Sequence, residues 1–117
     1  MVDLNSFLTF ALSFAEAEEL PHFEKTSFRI KKKIFATFDE KKNHAVVKLS
    51  LIDQSVFADS NKEVIYPLAN KWGKQGWTVI ELKKVKKTVF KDALTTAYCE
   101  VAPEKLAAKY RPQSNPD

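Results

Sequence analysis

Basic side chains recur in short runs along the chain, next to residues that are typical of turns. The set is Arg29, Lys31, Lys32, Lys33, Lys41, Lys42, Lys71 and Lys74, with the indole of Trp72 among them. Ammonium and guanidinium groups neutralise phosphates, and an exposed indole can stack on a base. These residues therefore predict a phosphate-contacting surface. Lysines on turns respond to charge rather than to base sequence, and the chain offers no helix rich in Arg, Asn or Gln for reading base edges.

Charge is distributed unevenly along the 117 residues. Residues 1–24 hold five acids and no Lys or Arg, a net charge of −5, whereas residues 25–117 hold 19 bases and 10 acids, a net charge of +9. A local basic excess attracts nucleic acid, acidic proteins or phosphate ligands, although a solvated lysine face also serves solubility. The phosphate hypothesis thus requires the positive turns to converge on one side of the molecule, with the acidic first segment on the other.

Catalytic and metal-binding chemistry is poorly represented. The single cysteine, Cys99, lies in an apolar-periodic segment, which is typical of a buried and inert thiol. The two histidines, His22 and His44, have no nucleophile or metal ligand at a recognisable spacing. We therefore expect a protein that is not an enzyme and has no cofactor or metal ion. Since no apolar run is long enough to cross a membrane and no signal-like segment begins the chain, we expect a cytoplasmic protein without membrane contact.

The segment 72–77 contains both tryptophans and the only two glycines of the chain. Two glycines three residues apart between indoles predict a tight turn that directs a strand beginning near Trp77. In one interpretation both rings are core anchors and the glycines only turn the chain. In the other the loop is a recognition surface, where it lines a concave site with Tyr66 while Lys74 and Arg29 receive an anionic group.

The first half of the chain predicts one helix and an antiparallel meander. Asp3 can cap an amphipathic helix that continues to about Glu19 and is ended by Pro21. The strands that follow cover residues 26–30, 34–38 and 44–49. The first turn, Lys31–Lys33, should contain three residues or more because no Gly or Asn favours a two-residue turn. In the second turn Asn43 suits a left-handed position.

The second half predicts a short helix, two strands and two further helices. Ser50 and Asp53 resemble a capping box for a helix that runs to about Phe57. The remaining predicted elements are strands at 63–66 and 78–82 and helices at 89–101 and 104–109. We expect an α+β fold with a single antiparallel sheet of about five strands packed against helices. It should form one domain over residues 1–110, with residues 111–117 as a flexible tail.

The order of several short motifs resembles the MmcQ/YjbR family over nearly the whole chain. The motifs are the N-terminal amphipathic helix, Phe28-Arg29-Ile30 before a lysine-rich turn and Ile34-Phe35-Ala36, then Lys74-Gln75-Gly76-Trp77-Thr78-Val79, and Ala97-Tyr98 in a late helix. The resemblance implies a fold similar to that of CyaY/frataxin-like proteins. It also implies a double-wing arrangement and, from that arrangement, a role in DNA binding.

Three positions depart from the family pattern. Gly76 stands where many members have histidine before the tryptophan, and Ala97 stands where many have serine before the tyrosine. Many members also have glycine in the first hairpin turn, which is Lys31–Lys33 here. If those polar groups form a shared site in the family, this chain has lost them.

The leading hypothesis is a non-enzymatic DNA-binding protein of the MmcQ/YjbR type that contacts phosphates through lysine-rich turns, as a monomer or weak dimer. The alternative is a protein- or small-anion-binding module at the Trp72–Gly76 loop, with the lysines as a solvated face. Analogy to frataxin would instead suggest iron binding, for which Glu16, Glu18 and Glu19 are a thin set of ligands.

Overall fold

Six strands form one antiparallel sheet that packs against α-helices. The computed structural model describes residues 1–111. Its elements are α1 (Leu4–Leu12), β1 (Glu18–His22), β2 (Lys25–Ile30), β3 (Lys33–Asp39), β4 (His44–Lys48), α2 (Leu51–Ser60), β5 (Ile65–Pro67), β6 (Trp77–Glu81), α3 (Lys87–Val101) and α4 (Glu104–Ala107). The strands are ordered β1-β2-β3-β4-β6-β5. The predicted α+β fold with one antiparallel sheet is confirmed, with six strands rather than about five.

The additional strand is β1, and its presence corrects the prediction of a first helix that reaches Glu19. The helix ends at Leu12, and the backbone then turns through Glu16, whose φ is +62°. Phe14 continues the apolar spacing of the helix, but it lies in the irregular segment after the helix, where its side chain is buried. Pro21 lies inside β1, which is an edge strand where a missing N–H is tolerated.

The turn between β2 and β3 is shorter than predicted. Ile30 pairs with Lys33, so Lys31 and Lys32 alone make the connection, with φ values of +50° and +69°. A two-residue turn with both residues left-handed matches the twist of the paired strands, and strand pairing therefore overrides the preference of lysine for other backbone conformations. Asn43, in the next turn, has a φ of +55° as predicted.

Aromatic side chains join the helices to one face of the sheet. The ring of Phe7 in α1 lies 5.2 Å from that of Phe28 in β2 and 5.1 Å from that of Phe90 in α3. Tyr98 stacks on Phe14 at 4.6 Å, and its hydroxyl donates a hydrogen bond to the Ala15 carbonyl at 2.6 Å. These contacts fix α1, α3 and the irregular segment after α1 against the sheet.

The second face of the sheet carries the larger polar side chains. Cross-strand partners share a face, so the pair of Lys48 with Trp77 and the pair of His44 with Glu81 lie on the same side as Val46 and Val79. Val46 and Val79 are buried, whereas the four residues at the two ends of this pair of strands are half-buried. This face therefore has an apolar middle and a polar group at each end.

The later elements follow their local signals. The Ser50 hydroxyl accepts a hydrogen bond from the Asp53 N–H at 3.0 Å, as a helix cap should, although α2 extends beyond Phe57. Of the tail predicted over residues 111–117, only Arg111 falls within the described residues. Within residues 1–111 no helix combines the length and the apolar character that crossing a bilayer requires.

Candidate nucleic-acid interface

Two of the predicted basic turns lie at opposite ends of the sheet, whereas the loop before Trp77 lies at the same end as the turn of Lys31 and Lys32. Strand β3 runs from the turn of Lys31 and Lys32 at one end to the turn that holds Lys41 and Lys42 at the other. At about 3.3 Å per residue, β3 separates the two turns by roughly 20 Å. The strand between the turns therefore keeps Lys41 and Lys42 apart from Lys31 and Lys32.

Part of the predicted set does come together at the β2–β3 end. Arg29, Lys32 and Lys33 line a shallow groove of about 510 Å³. We call it the cationic groove; its other lining residues are Ile34, Lys48, Trp77, Glu100 and Val101. Four basic side chains thus surround one indole and one carboxylate.

The guanidinium of Arg29 is held by a short chain of hydrogen bonds. Its Nε donates to the Ser27 Oγ at 3.0 Å, and that hydroxyl donates to the Leu20 carbonyl at 2.8 Å. Ser27, which accepts the hydrogen bond from Arg29, is fully buried and so has little freedom to move. Arg29 therefore enters the groove from a fixed position on β2.

Lys48 and Trp77 were not among the predicted site residues, and they reach the groove as a cross-strand pair of β4 and β6. The Lys48 Nζ donates to the Leu49 carbonyl at 3.2 Å, which folds the side chain over the strand end. The two residues are 29 positions apart in sequence, so no local pattern could have linked them. Only the pairing of β4 with β6 does so.

A buried amide holds the glycine loop beside the groove. The Gln54 Nε2 donates to the Gly73 carbonyl and to the Thr78 Oγ1, each at 3.0 Å, and Thr78 Oγ1 donates to the Gly76 carbonyl at 2.9 Å. Gly73–Gln75 form one turn of 3₁₀ helix, which ends at Gly76 with a φ of +105°. The predicted tight turn that directs the strand from Trp77 is thus present.

The remaining predicted residues of this loop lie outside the cationic groove. Trp72 is 46% exposed, and the Lys71 ammonium lies 5.4 Å from the centre of its ring. Lys74 is exposed on the 3₁₀ turn. A site that joins this loop to both Tyr66 and Arg29 is not formed, because β5 and β2 are four strand spacings apart, about 19 Å.

The acidic first segment lies beside the first hairpin, which contradicts the expectation that it would face away. The Lys31 Nζ is 2.6 Å from the Glu16 Oε1, and its hydrogen bond and charge hold the pKa of Glu16 below its usual value. Glu18 is the cross-strand partner of Arg29. The reason is that residues 18–22 form a strand on β2 rather than the end of a helix.

Comparison with known proteins places this arrangement in a family. The family model described as YjbR matches residues 12–100. The chain belongs to the YjbR family. The resemblance seen in the sequence is thereby confirmed, and the match contains both ends of the sheet and every residue that lines the cationic groove except Val101.

A solved structure supports the fold of this YjbR protein over its whole length. The chain is similar to Deinococcus radiodurans protein DR2400, whose crystal structure is described with the domain DUF419. The TM-score is 0.78 at 15% sequence identity, over 99% of this chain and 94% of that chain. This likeness concerns the fold alone. No curated protein matches the chain.

Two of the three departures from the family pattern, Gly76 and Ala97, are positions without room for a polar side chain in this YjbR protein. A Cβ on Gly76 would lie 1.8 Å from the Leu49 carbonyl oxygen, so no side chain fits there. Ala97 is fully buried in α3. The cationic groove lies beside Gly76.

A polar cluster that the sequence does not predict lies at the other end of the sheet. The His44 Nε2 lies 2.9 Å from the Glu81 Oε2, which also accepts a hydrogen bond from the Tyr66 hydroxyl. Burial first, and then the hydrogen bond and charge of Glu81, raise the pKa of Tyr66 to about 12. Three strands bring these residues together, so the spacing of the residues gave no signal.

Other reactive groups in the described residues show no shared site. Within residues 1–111 no three His, Cys, Asp or Glu side chains come together as metal ligands. Cys99 is half-buried, its Sγ lies 3.6 Å from the Ala107 carbonyl, and burial raises the pKa of its thiol. A raised pKa disfavours the thiolate that a nucleophile would need.

Proposed function

We propose that this YjbR protein binds nucleic acid without catalysing a reaction on it, and that the cationic groove contacts the phosphates. The observation that carries the proposal is the convergence of Arg29, Lys32, Lys33 and Lys48 around Trp77. Basic groups that track a phosphate backbone beside an aromatic ring are the usual elements of a sequence-tolerant nucleic-acid surface.

The proposed surface is smaller than the one predicted from the sequence. Lys41 and Lys42 lie at the far end of the sheet, and Lys41 already pairs with Glu24 at 3.5 Å. Lys31 pairs with Glu16. Exposed ion pairs of this kind contribute little free energy, so Lys31 can exchange its partner for a phosphate at the edge of the groove.

The salt dependence of binding tests the proposal. Four phosphate contacts predict that log affinity for duplex DNA falls with log salt at a slope of about −3.6, and for single strands at about −2.8. Fluorescence anisotropy of a labelled oligonucleotide over a series of salt concentrations measures the slope. Undetectable binding at low salt, or a slope near zero, would contradict the proposal.

Matched double variants locate the surface. Lys32→Gln with Lys33→Gln removes two charges from the cationic groove, and Lys41→Gln with Lys42→Gln removes two from the other end. We expect the first pair to reduce the magnitude of the salt slope by about 2 and the second to leave it unchanged. Equal losses in both pairs would mean that net charge rather than the groove governs binding.

A small aromatic anion is the second candidate, because the groove volume of about 510 Å³ lies within the range of small-molecule sites. A nucleoside phosphate should then quench Trp77 fluorescence in a Trp72→Phe background, and an oligonucleotide should fail to displace it. Displacement by the oligonucleotide favours nucleic acid.

A further inference from the structure

The turn between β1 and β2 presents an aromatic ring to solvent. His22 pairs with Lys25, so Phe23 and Glu24 alone form this turn. Phe23 is 93% exposed, the highest value among the large apolar side chains of residues 1–111, and its φ is +58°. A left-handed backbone is unfavourable for a bulky residue, and glycine or asparagine would relieve it. The two-residue turn explains this backbone, as it does for Lys31 and Lys32, but it does not explain a phenylalanine ring left in solvent.

The same molecule has a groove of about 350 Å³ between α1 and α3, with an apolar floor and polar sides. Phe10 is the partly exposed ring of the floor, Val2 and Phe90 lie beneath it at 2% exposure, and the polar sides are Asn5, Ser6, Thr9 and Ser13. Lys87 and Lys91 lie on its rim, and the Lys91 ammonium is 5.5 Å from the centre of the Phe10 ring. We call it the α1–α3 groove. It combines one accessible aromatic ring with positive charge.

We propose that the Phe23–Glu24 turn of one copy docks into the α1–α3 groove of a second copy. The Phe23 ring packs against Phe10, and the Glu24 carboxylate meets Lys91. Within one copy the Glu24 side chain is 84% exposed, and its partner is Lys41 at 3.5 Å. Because such an exposed pair contributes little, exchange of Lys41 for a lysine on the groove rim has little cost.

Charge favours a second copy over the other possible binding partners of this turn. Glu24 directly follows Phe23, and Glu40 and Asp39 accompany the lysines of the neighbouring turn. A nucleic-acid wedge or a membrane anchor needs a positive surround, which these carboxylates cancel. A carboxylate beside an aromatic ring instead complements a groove that has an accessible aromatic ring and a lysine rim.

This contact leaves the cationic groove uncovered. The Phe23–Glu24 turn precedes β2 at Lys25, whereas Arg29 and the cationic groove lie at the opposite end of that strand. Self-association and nucleic-acid binding therefore use different surfaces, and each proposal can fail without the other.

Sedimentation velocity of the full chain over a concentration series tests the contact. One ring and one ion pair per contact make a small interface, so we expect association to become visible at roughly 0.1–1 mM protein. Phe23→Ser should raise the dissociation constant by about tenfold or more, since the apolar burial is lost. A wild-type protein that stays monomeric over this range, or a Phe23→Ser variant that associates equally well, would overturn the proposal.

Charge reversal then identifies the two surfaces. Glu24→Lys and Lys91→Glu should each weaken self-association because like charges now meet at the contact. In a mixture of the two variants, each contact between unlike copies joins one lysine to one glutamate. The mixture should therefore associate more strongly than either variant alone. Unfolding midpoints check that both variants fold. A mixture no stronger than the separate variants would show that Glu24 and Lys91 do not meet.

Discussion

The two ends of the sheet both present lysines, but they differ in what lies between the charges. At the β2–β3 end, Lys31 pairs with Glu16, but four other basic side chains converge on a groove whose lining includes one acid, Glu100. At the β3–β4 end, Lys41 pairs with Glu24, and the Asp39 carboxylate accepts a hydrogen bond from the Lys42 N–H. The difference shows that strand pairing, rather than the number of lysines in a run, decides which basic side chains come together.

The largest expected effect on stability comes from Gly76, which ends the tight turn beside the cationic groove. In Gly76→Ala the new Cβ would lie 1.8 Å from the Leu49 carbonyl oxygen, on a backbone with a φ of +105°. We expect the free energy of unfolding to fall by about 3 kcal/mol or more, because the clash and the strained backbone add. Urea denaturation measures the change.

Lys74→Ala is the matched control for Gly76→Ala, because it alters an exposed residue of the same loop. It should change the free energy of unfolding by no more than about 0.5 kcal/mol. Equal stability of Gly76→Ala and the wild type would mean that the loop does not pack against Leu49 as described.

Signals that act over a few residues made much of the fold predictable. Asn43 indicated a left-handed turn, Ser50 indicated a helix cap, and the two glycines indicated the tight turn before Trp77; each depends on the residue's own backbone or on a neighbour three positions away. The apolar stripe of α3 likewise reports one helix face. These features required no knowledge of the partner strands.

The site was less predictable because it is assembled by long-range pairing. Lys48 meets Trp77, and His44 meets Glu81, only because β4 pairs with β6. Strand β1 gave no signal because none of its side chains is buried, and so its sequence lacks the alternation that marks a half-buried strand. Because the predicted helix includes Glu18 and Glu19 of β1, the sequence predicts the acidic segment on the wrong side of the molecule.

A smaller effect is expected at the other end of the sheet, where Tyr66 donates a hydrogen bond to Glu81. Tyr66→Phe removes a bond to a charged group and should lower the free energy of unfolding by about 1.5 kcal/mol at pH 7. The cationic groove is not involved, so the salt slope of nucleic-acid binding should stay unchanged. A change in that slope would show that the two ends are coupled.

The pH dependence of Tyr66→Phe sharpens this prediction. The pKa of Tyr66 is raised from 10.0 to about 12 in the folded state, so the unfolded state loses its proton first. Stability is therefore fully present below pH 10 and falls as the pH rises towards 12. The variant should lose less stability over this window than the wild type. It keeps a residual fall because burial also raises the pKa of Tyr98 to about 12.

The smallest effect concerns the backbone of the two turns. Lys32 has a φ of +69° and Asn43 a φ of +55°, but asparagine tolerates this region far better than lysine does. Lys32→Gly should therefore raise the free energy of unfolding by about 1 kcal/mol, and Asn43→Gly by less than about 0.5 kcal/mol. Urea denaturation of both variants tests the difference.

Lys32→Gly should also separate stability from binding. It removes one cation from the groove, so the magnitude of the salt slope for duplex DNA should fall by about 0.9 while the protein becomes more stable. Asn43→Gly should change neither the slope nor the affinity. That outcome would show that Lys32 contributes charge to binding at a cost in stability. A Lys32→Gly variant that gains stability and binds with an unaltered slope would remove Lys32 from the interface.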